Sequence, residues 1–201
     1  MTGRVVDLIT PNILLPSPFV VDSNVVIARM LASHQSQLPH NIARAAAFFD
    51  SLQTTGQQAL LTPTAYSEVI HAAIKAIYQR ARASHRSELT AHYGRHGGFS
   101  WLDLHKLDPT ILQAQADVLE EWRRQLVAAN IALVDRSDLG PIPSGQRYDR
   151  ELLDLVVRYG LDTSDATILM EATRIGVHSL VSFDRDMRRA VANFDIYTWL
   201  S

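Results

Sequence analysis

The chain has 201 residues, of which 47% are hydrophobic, and it carries 19 Lys and Arg against 21 Asp and Glu. This length and composition suit one globular domain with a substantial core, and they exclude a disordered or fibrous chain. The net charge of −2 excludes a global attraction to nucleic acid or anionic membrane, and the absence of cysteine excludes disulfides, thiolate metal sites and thiol nucleophiles.

The N-terminal region contains no segment that would take the protein to or through a membrane. Arg4 and Asp7 interrupt its apolar residues, and three prolines follow within a few positions. It therefore has neither the apolar core of a secretory signal nor a run long enough to span a bilayer. Together with the lack of cysteine, this leads us to expect a cytoplasmic protein without membrane association.

The first half of the chain alternates short apolar runs with helical patterns. Residues 19–22 form an apolar run that ends at Asp22, and apolar residues with helical spacing follow from 25 to 31. A second helical pattern over 42–52 ends before Gly56, where a C-terminal cap is expected. A strand over 59–61 and a helix opened by Pro63 come next, and Glu68 lies near the start of that helix.

The segment 80–108 interrupts this alternation. It combines several glycines with scattered Arg and His, which is typical of a loop. We interpret it as an irregular insertion within a single domain that spans residues 1–201. Helical periodicity returns at Asp108 as the N-cap and Pro109 at the first helical position, and this helix ends near Asn130.

The second half of the chain returns to alternating strands and helices. Its predicted elements are a strand over 131–134, helices over about 148–159 and from 162 to 176, a strand over 179–182, a short helix over 186–191 and a last strand over 194–199. This alternation predicts an α/β sandwich with a mainly parallel central sheet flanked by helices. In such sheets, functional sites gather at the carboxyl ends of the strands.

Four acidic residues lie where a predicted strand gives way to a helix or loop, or one turn into the helix: Asp22, Glu68, Asp165 and Asp184. Clustered carboxylates at the ends of buried strands are costly unless water, a hydrogen-bond donor or a cation compensates them. Oxygen ligands suit hard divalent cations, so we predict an Mg²⁺ or Mn²⁺ site and metal-assisted hydrolysis. We expect Asn24 and Ser182 to hold these carboxylates in place through hydrogen bonds.

Other charged residues have both a functional and a structural interpretation. Asp162 fits the N-cap of a helix, although it lies beside Asp165, and Asp186 either caps the short helix or approaches the metal. The segment 80–108 has a local positive excess next to aromatic residues that can stack on bases, and the alternative is a solvated loop. The candidate RNA-binding residues are Arg80, Arg82, Arg86 and Arg95.

The four acidic motifs, taken in order, resemble those of the PIN-domain family of ribonucleases, and within it the VapC-like toxins of toxin–antitoxin pairs. The motifs are Val-Val-Asp-Ser-Asn-Val around Asp22, Ser-Glu-Val around Glu68, Asp-Ala-Thr-Ile from Asp165 and Ser-Phe-Asp-Arg-Asp-Met around Asp184. The resemblance covers most of the chain. It implies a PIN-like three-layer sandwich with the four acids as catalytic residues and metal ligands.

The same resemblance implies the activity and the partners. The implied activity is that of a divalent-metal-dependent endoribonuclease that hydrolyses RNA phosphodiester bonds, and the implied role is that of the toxin in a type II toxin–antitoxin system. The implied partners are a cognate antitoxin protein and a second copy of the chain in a homodimer. The alternatives are a stand-alone PIN-domain nuclease in RNA processing and a non-catalytic RNA-binding or regulatory PIN module. A phosphatase of the haloacid dehalogenase type needs a second Asp where this chain has Asn24.

Overall fold

The computed structural model describes residues 3–9, 13–31 and 38–200. In these ranges the strands are β1 (Val5–Asp7), β2 (Phe19–Val21), β3 (Ala59–Leu61), β4 (Ile131–Leu133), β5 (Ser179–Val181) and β6 (Asp195–Thr198). They form one sheet in the order β1-β6-β5-β2-β3-β4, and every neighbouring pair is parallel. Helices flank the sheet, so the predicted three-layer α/β sandwich is confirmed.

The helices follow the strands closely in the chain. They are α1 (Ser23–Met30), α2 (Pro39–Thr55), α3 (Pro63–Ala81), α4 (Arg86–Tyr93), α5 (Trp101–Leu107), α6 (Thr110–Gln113), α7 (Ala116–Ala128), α8 (Tyr148–Tyr159) and α9 (Thr163–Arg174), with 3₁₀ helices at Arg136–Asp138 and Asp186–Ala192. Helix α8 has the predicted bounds, because the left-handed Gly160 ends it as a C-terminal cap.

Two sequence-based predictions differ from the structure, and one strand has no signal in the sequence. The segment 80–108 is not irregular, since α4 and α5 lie within it, and a left-handed Gly94 ends α4. The helix predicted to start at Asp108 is divided into α6 and α7, and Asp108 follows α5 as its C-cap. Strand β1 was not predicted, because three residues are too few for a periodic pattern, and only its pairing with β6 defines it.

The described residues separate into two compact units. The first contains the residues up to Val69 and from Leu126 onward, and its core includes the fully buried strand β2. The second contains Ile70–Gln125 and has a small core around Tyr78, Leu89 and Leu104. The single domain expected from the sequence stays a prediction. None of the helices in the described ranges combines the length and apolar character that crossing a bilayer requires.

Strand β2 lies at the topological switch point of the sheet, because the strands on its two sides come from different parts of the chain. Its neighbour on one side is β3, the next strand in the chain, and its neighbour on the other side is β5. Val21 lies beside Val181 in the β2 and β5 pair, and the backbone N–H of Asp22 donates to the carbonyl of Val181 at 2.9 Å. The carboxyl ends of β2 and β5 are therefore adjacent, and such a position opens a crevice in a parallel sheet.

The turn after α9 sets the start of β5. Gly176 has φ of 73°, its N–H donates to Thr173, and the N–H of Val177 donates to Ala172. These two hydrogen bonds form the usual helix-ending motif in which a left-handed residue satisfies the last carbonyls. The left-handed position favours glycine, because a Cβ would come too close to the following carbonyl oxygen.

We predict that Gly176→Ala lowers the free energy of unfolding by about 1 kcal/mol, because an added Cβ meets no atom within 4 Å and only the left-handed backbone opposes it. Gly176→Asn serves as the control and should cost less, since Asn tolerates this conformation better than Ala. Urea denaturation of the three proteins measures the difference. Equal losses for Ala and Asn would contradict the conformational explanation.

Candidate active site

The first unit contains all four acids singled out in the sequence. Asp22 directly follows β2, and Asp184 lies three residues after β5. Glu68 lies in the second turn of α3, and Asp165 lies in the first turn of α9. The acids therefore come from two adjacent strand ends and two helix starts, which is the placement that the alternating pattern predicted.

Asp22 is the most buried of the four, with 2% of the residue exposed. Its Oδ2 accepts hydrogen bonds from Asn24 Nδ2 at 2.7 Å and from Ser182 Oγ at 2.5 Å. Both residues therefore contact Asp22, as the sequence led us to expect. Asp22 precedes the first residue of α1, but its side chain makes no capping hydrogen bond to that helix, which removes the simple structural explanation for this acid.

Asn24 and Ser182 also join Asp22 to the segment that carries Asp184. Ser182 Oγ accepts from Asn24 Nδ2 at 3.1 Å and from the backbone N–H of Asp184 at 2.8 Å. Asn24 Oδ1 accepts from the backbone N–H of Phe183 at 3.0 Å. The loop after β5 is thus held against the end of β2 by neutral donors and acceptors, which fix its position without cancelling the acidic charge.

Two serine hydroxyls hold the carboxylate of Glu68. Ser23 Oγ donates to Oε2 at 2.5 Å, and Ser164 Oγ donates to Oε1. Ser23 also lies 3.4 Å from Asp22 Oδ1, but a hydroxyl has one proton and the shorter contact takes it. Asp22 Oδ1 is therefore the oxygen of that carboxylate that remains most available to a cation.

The pKa values of two acids are raised, first by burial and then by the negative charges of the neighbouring carboxylates. The pKa of Asp22 is raised to about 6, mainly by burial, and the charges of Glu68 and Asp184 contribute to the rise. Hydrogen bonds from the Ser182 side chain and the Ser23 backbone act in the opposite direction. Burial likewise raises the pKa of Asp165 to about 7, helped by the nearby acids Asp22, Asp162, Asp184 and Glu68. A cation placed among these groups would relieve this repulsion.

The residues suit a hard divalent cation by chemistry and charge. The possible metal ligands are all carboxylate oxygens, and the repulsion between their negative charges favours a bound positive charge. As the described side chains are placed, no three Asp, Glu or His residues form a ready metal-binding group. Mg²⁺ keeps several waters and often binds through one or two carboxylates, so this arrangement fits a hydrated ion rather than an all-protein cage.

The two additional acids differ in their contacts, and a metal-binding role for Asp186 stays a prediction. Asp162 is the N-cap of α9, and its Oδ1 accepts from the backbone N–H of Asp165 at 2.9 Å. Asp186 is exposed, and its Oδ1 lies 2.8 Å from an Arg189 nitrogen. The capping interpretation of Asp162 is confirmed, and Asp186 has an ion-pair partner outside the acidic cluster.

The candidate RNA-binding arginines lie in the second unit. Arg82 donates to the carbonyl of Phe99 at 2.8 Å, and Arg86 donates to that of His96 at 3.3 Å. Arg95 forms an ion pair with Asp103 and lies over the ring of Phe99, while Arg80 also has an interaction partner. These contacts hold the loop between α4 and α5, and the RNA-binding role stays a prediction.

Sequence reasoning missed three residues that contact α3, the helix that carries Glu68. Ser23 and Ser164 donate to Glu68, and Glu171 accepts from Thr64 near the start of α3. The signal for the two serines is a hydroxyl directly beside a candidate acid. The signal for Glu171 is an acid within the apolar pattern of α9, between Leu169 and Ala172.

No protein-family model matches the chain, and no curated protein matches it at a significant level. Among solved structures, the chain is similar to a crystal structure of PAE2754 from Pyrobaculum aerophilum, with 16% sequence identity and a TM-score of 0.44. The match covers 95% of this chain and 90% of that one. At this level of similarity it carries no information about function, so the PIN-domain resemblance stays a prediction.

We predict that Asp22→Asn leaves the metal-free protein at least as stable as wild type at pH 8, and more stable by about 1 kcal/mol if repulsion dominates. Because the pKa of Asp22 is raised, its proton binds the folded state more tightly than the unfolded chain. That contribution to stability is fully present below the unfolded value of 3.8 and is lost as the pH rises through about 6. In thermal melts with EDTA, the melting temperature of wild type should therefore rise relative to that of the variant as the pH is lowered from 8 to 5.

Asp50→Asn is the matched control, because Asp50 is an exposed acid on α2 in the same unit. It should follow the wild-type pH dependence. If Asp22→Asn instead melts well below wild type at every pH, Asp22 has a stabilising structural role and the repulsion argument is wrong.

Proposed function

We propose that this protein is a divalent-metal-dependent endoribonuclease that hydrolyses RNA phosphodiester bonds. The observation that carries the proposal is the gathering of four acids from two adjacent strand ends and two helix starts, with burial and mutual repulsion raising two of their pKa values. Oxygen ligands with uncompensated negative charge suit Mg²⁺ or Mn²⁺, which both attract phosphate oxygens. The motif resemblance to PIN-domain ribonucleases supports RNA as the substrate.

In this proposal Asp22 and Asp184 would hold the cation directly, and Asp165 would bind it directly or through water. A bound ion would lower the pKa of a water molecule and stabilise negative charge on the phosphate. Asn24 and Ser182 keep Oδ2 of Asp22 fixed, so Oδ1 would be the oxygen free to hold the ion. Glu68, fixed by two serines, orients the attacking water or completes the ligand set.

The biological role in this proposal is that of a toxin in a type II toxin–antitoxin system, acting in the cytoplasm. Its support is the likeness of the four motifs to VapC-like toxins. A cognate antitoxin and a homodimer belong to the same proposal.

We expect the purified protein to cleave single-stranded or looped RNA with Mg²⁺ or Mn²⁺, and to stop when EDTA is added. Asp22→Asn should lower the cleavage rate at least about 100-fold, because it removes a charged ligand from the site of phosphate chemistry. The control variant Asp50→Asn should cleave at the wild-type rate. Cleavage that continues in EDTA and in Asp22→Asn would come from another site or a contaminant and would overturn the proposal.

The toxin role has a separate test in bacterial cells. Induced expression of the wild-type chain should arrest growth, while Asp22→Asn at the same protein level should not, because arrest depends on RNA cleavage. Co-expression of a small protein encoded beside this chain should restore growth. Active cleavage in vitro without growth arrest would leave a stand-alone RNA-processing nuclease as the better explanation.

A further inference from the structure

Glu171 is a buried acid on α9 that the proposed chemistry does not use. Only 6% of the residue is exposed, and both carboxylate oxygens accept hydrogen bonds from one residue. Oε2 accepts from the backbone N–H of Thr64 at 3.0 Å, and Oε1 accepts from Thr64 Oγ1 at 2.8 Å. Thr64 lies in the first turn of α3, so the carboxylate satisfies a free N–H at the positive end of that helix.

A second contact joins the same two helices closer to the acidic cluster. Glu68 lies four residues after Thr64 on α3, and it accepts from Ser164, which lies seven residues before Glu171 on α9. Residues four apart and seven apart lie on one face of a helix. The contacts of Thr64 with Glu171 and of Glu68 with Ser164 therefore lie along one seam between α3 and α9.

The contact between Thr64 and Glu171 is close enough along both helices to affect the positions of Glu68 and Asp165. Glu68 is about 6 Å along α3 from Thr64, at a rise of about 1.5 Å per residue. On α9, Asp165 is next to Ser164 and about 9 Å from Glu171. A shift of α3 along α9 at the Thr64 contact would thus change the separation of Glu68 and Asp165 directly, since both helices are rigid over such lengths.

Stability alone gives a poor reason for a buried carboxylate at this position. Removing a charge from water is costly, and a well-packed apolar residue often serves a core as well or better. The neighbouring positions of α9, Leu169, Met170 and Ala172, are indeed apolar and buried. A two-oxygen acceptor differs from them in fixing one register between two helices, because both of its oxygens must meet their donors.

We propose that Glu171 is a positioning residue that fixes α3 against α9 and so sets the place of Glu68 relative to Asp165. This inference rests on the proposed nuclease function, which it deepens by naming a residue outside the four acidic motifs. Glu171 acts through Thr64 and contacts neither substrate nor metal.

The test uses the full-length chain with two variants of the contact. Glu171→Gln keeps the shape and loses one acceptor, while Thr64→Val removes the hydroxyl donor and leaves the backbone N–H. Two controls accompany them: Glu151→Gln, a Glu on α8 that accepts from Ser144 Oγ at 2.6 Å, and Leu155→Ala, a core change on α8 that lowers stability without removing either partner of the Thr64–Glu171 contact. The measurements are kcat and KM for a model RNA with Mn²⁺, Mn²⁺ affinity by calorimetry, and the melting temperature.

We expect Glu171→Gln and Thr64→Val each to lower kcat about tenfold or more at saturating Mn²⁺, with KM for RNA nearly unchanged, because small misplacements of catalytic groups cost rate. Mn²⁺ affinity should weaken in both. The double variant should be little worse than the poorer single one, since the two changes break one contact. Glu151→Gln should retain the wild-type kcat, and so should Leu155→Ala when assayed well below its melting temperature.

Two outcomes separate this inference from the proposed function. If wild type cleaves RNA and Glu171→Gln keeps its kcat and Mn²⁺ affinity while melting earlier, Glu171 is merely structural and the positioning role is overturned. If wild type does not cleave RNA, the proposed function fails, and unchanged Mn²⁺ affinity in Thr64→Val, the milder variant, then overturns the positioning role as well.

Discussion

The repulsion among carboxylates gathered beside the buried Asp22 is the constraint on which the rest of the site depends. A parallel sheet brings the ends of β2 and β5 together, so an acid after each strand meets the other across one hydrogen-bonded strand pair. Asp165 and Glu68 add their charges from the starts of α9 and α3, and the pKa of Asp165 rises to about 7. Such a site is costly to the folded protein until something positive enters it.

The fold meets this cost with neutral hydrogen-bond donors. Serine hydroxyls and the Asn24 amide hold the acids at fixed positions, but they leave the negative charge in place. An ion pair with Lys or Arg would have stabilised the acids more and would also have weakened their attraction for a metal cation. Serine and asparagine therefore leave the site able to attract a cation, as the proposed function requires.

The second unit shows why a local excess of arginine in a sequence is weak support for nucleic-acid binding. Arg82 and Arg86 donate to backbone carbonyls, and Arg95 pairs with Asp103 and covers Phe99. Guanidinium groups have five donors, so these contacts stabilise the loop between α4 and α5 and leave further donors for another ligand.

Local signals such as apolar periodicity and glycine caps are enough to predict the alternation of strands and helices, the bounds of α8 and the placement of the acids at element ends. The sequence also identified Asn24 and Ser182, which lie within or beside the acidic motifs. Tertiary structure alone decided that β1 pairs with β6, that α4 and α5 form where glycines predicted a loop, and that Ser164 and Glu171 contact α3. These features depend on partners about 100 residues or more away or on packing around a separate small core, and no local pattern encodes such contacts.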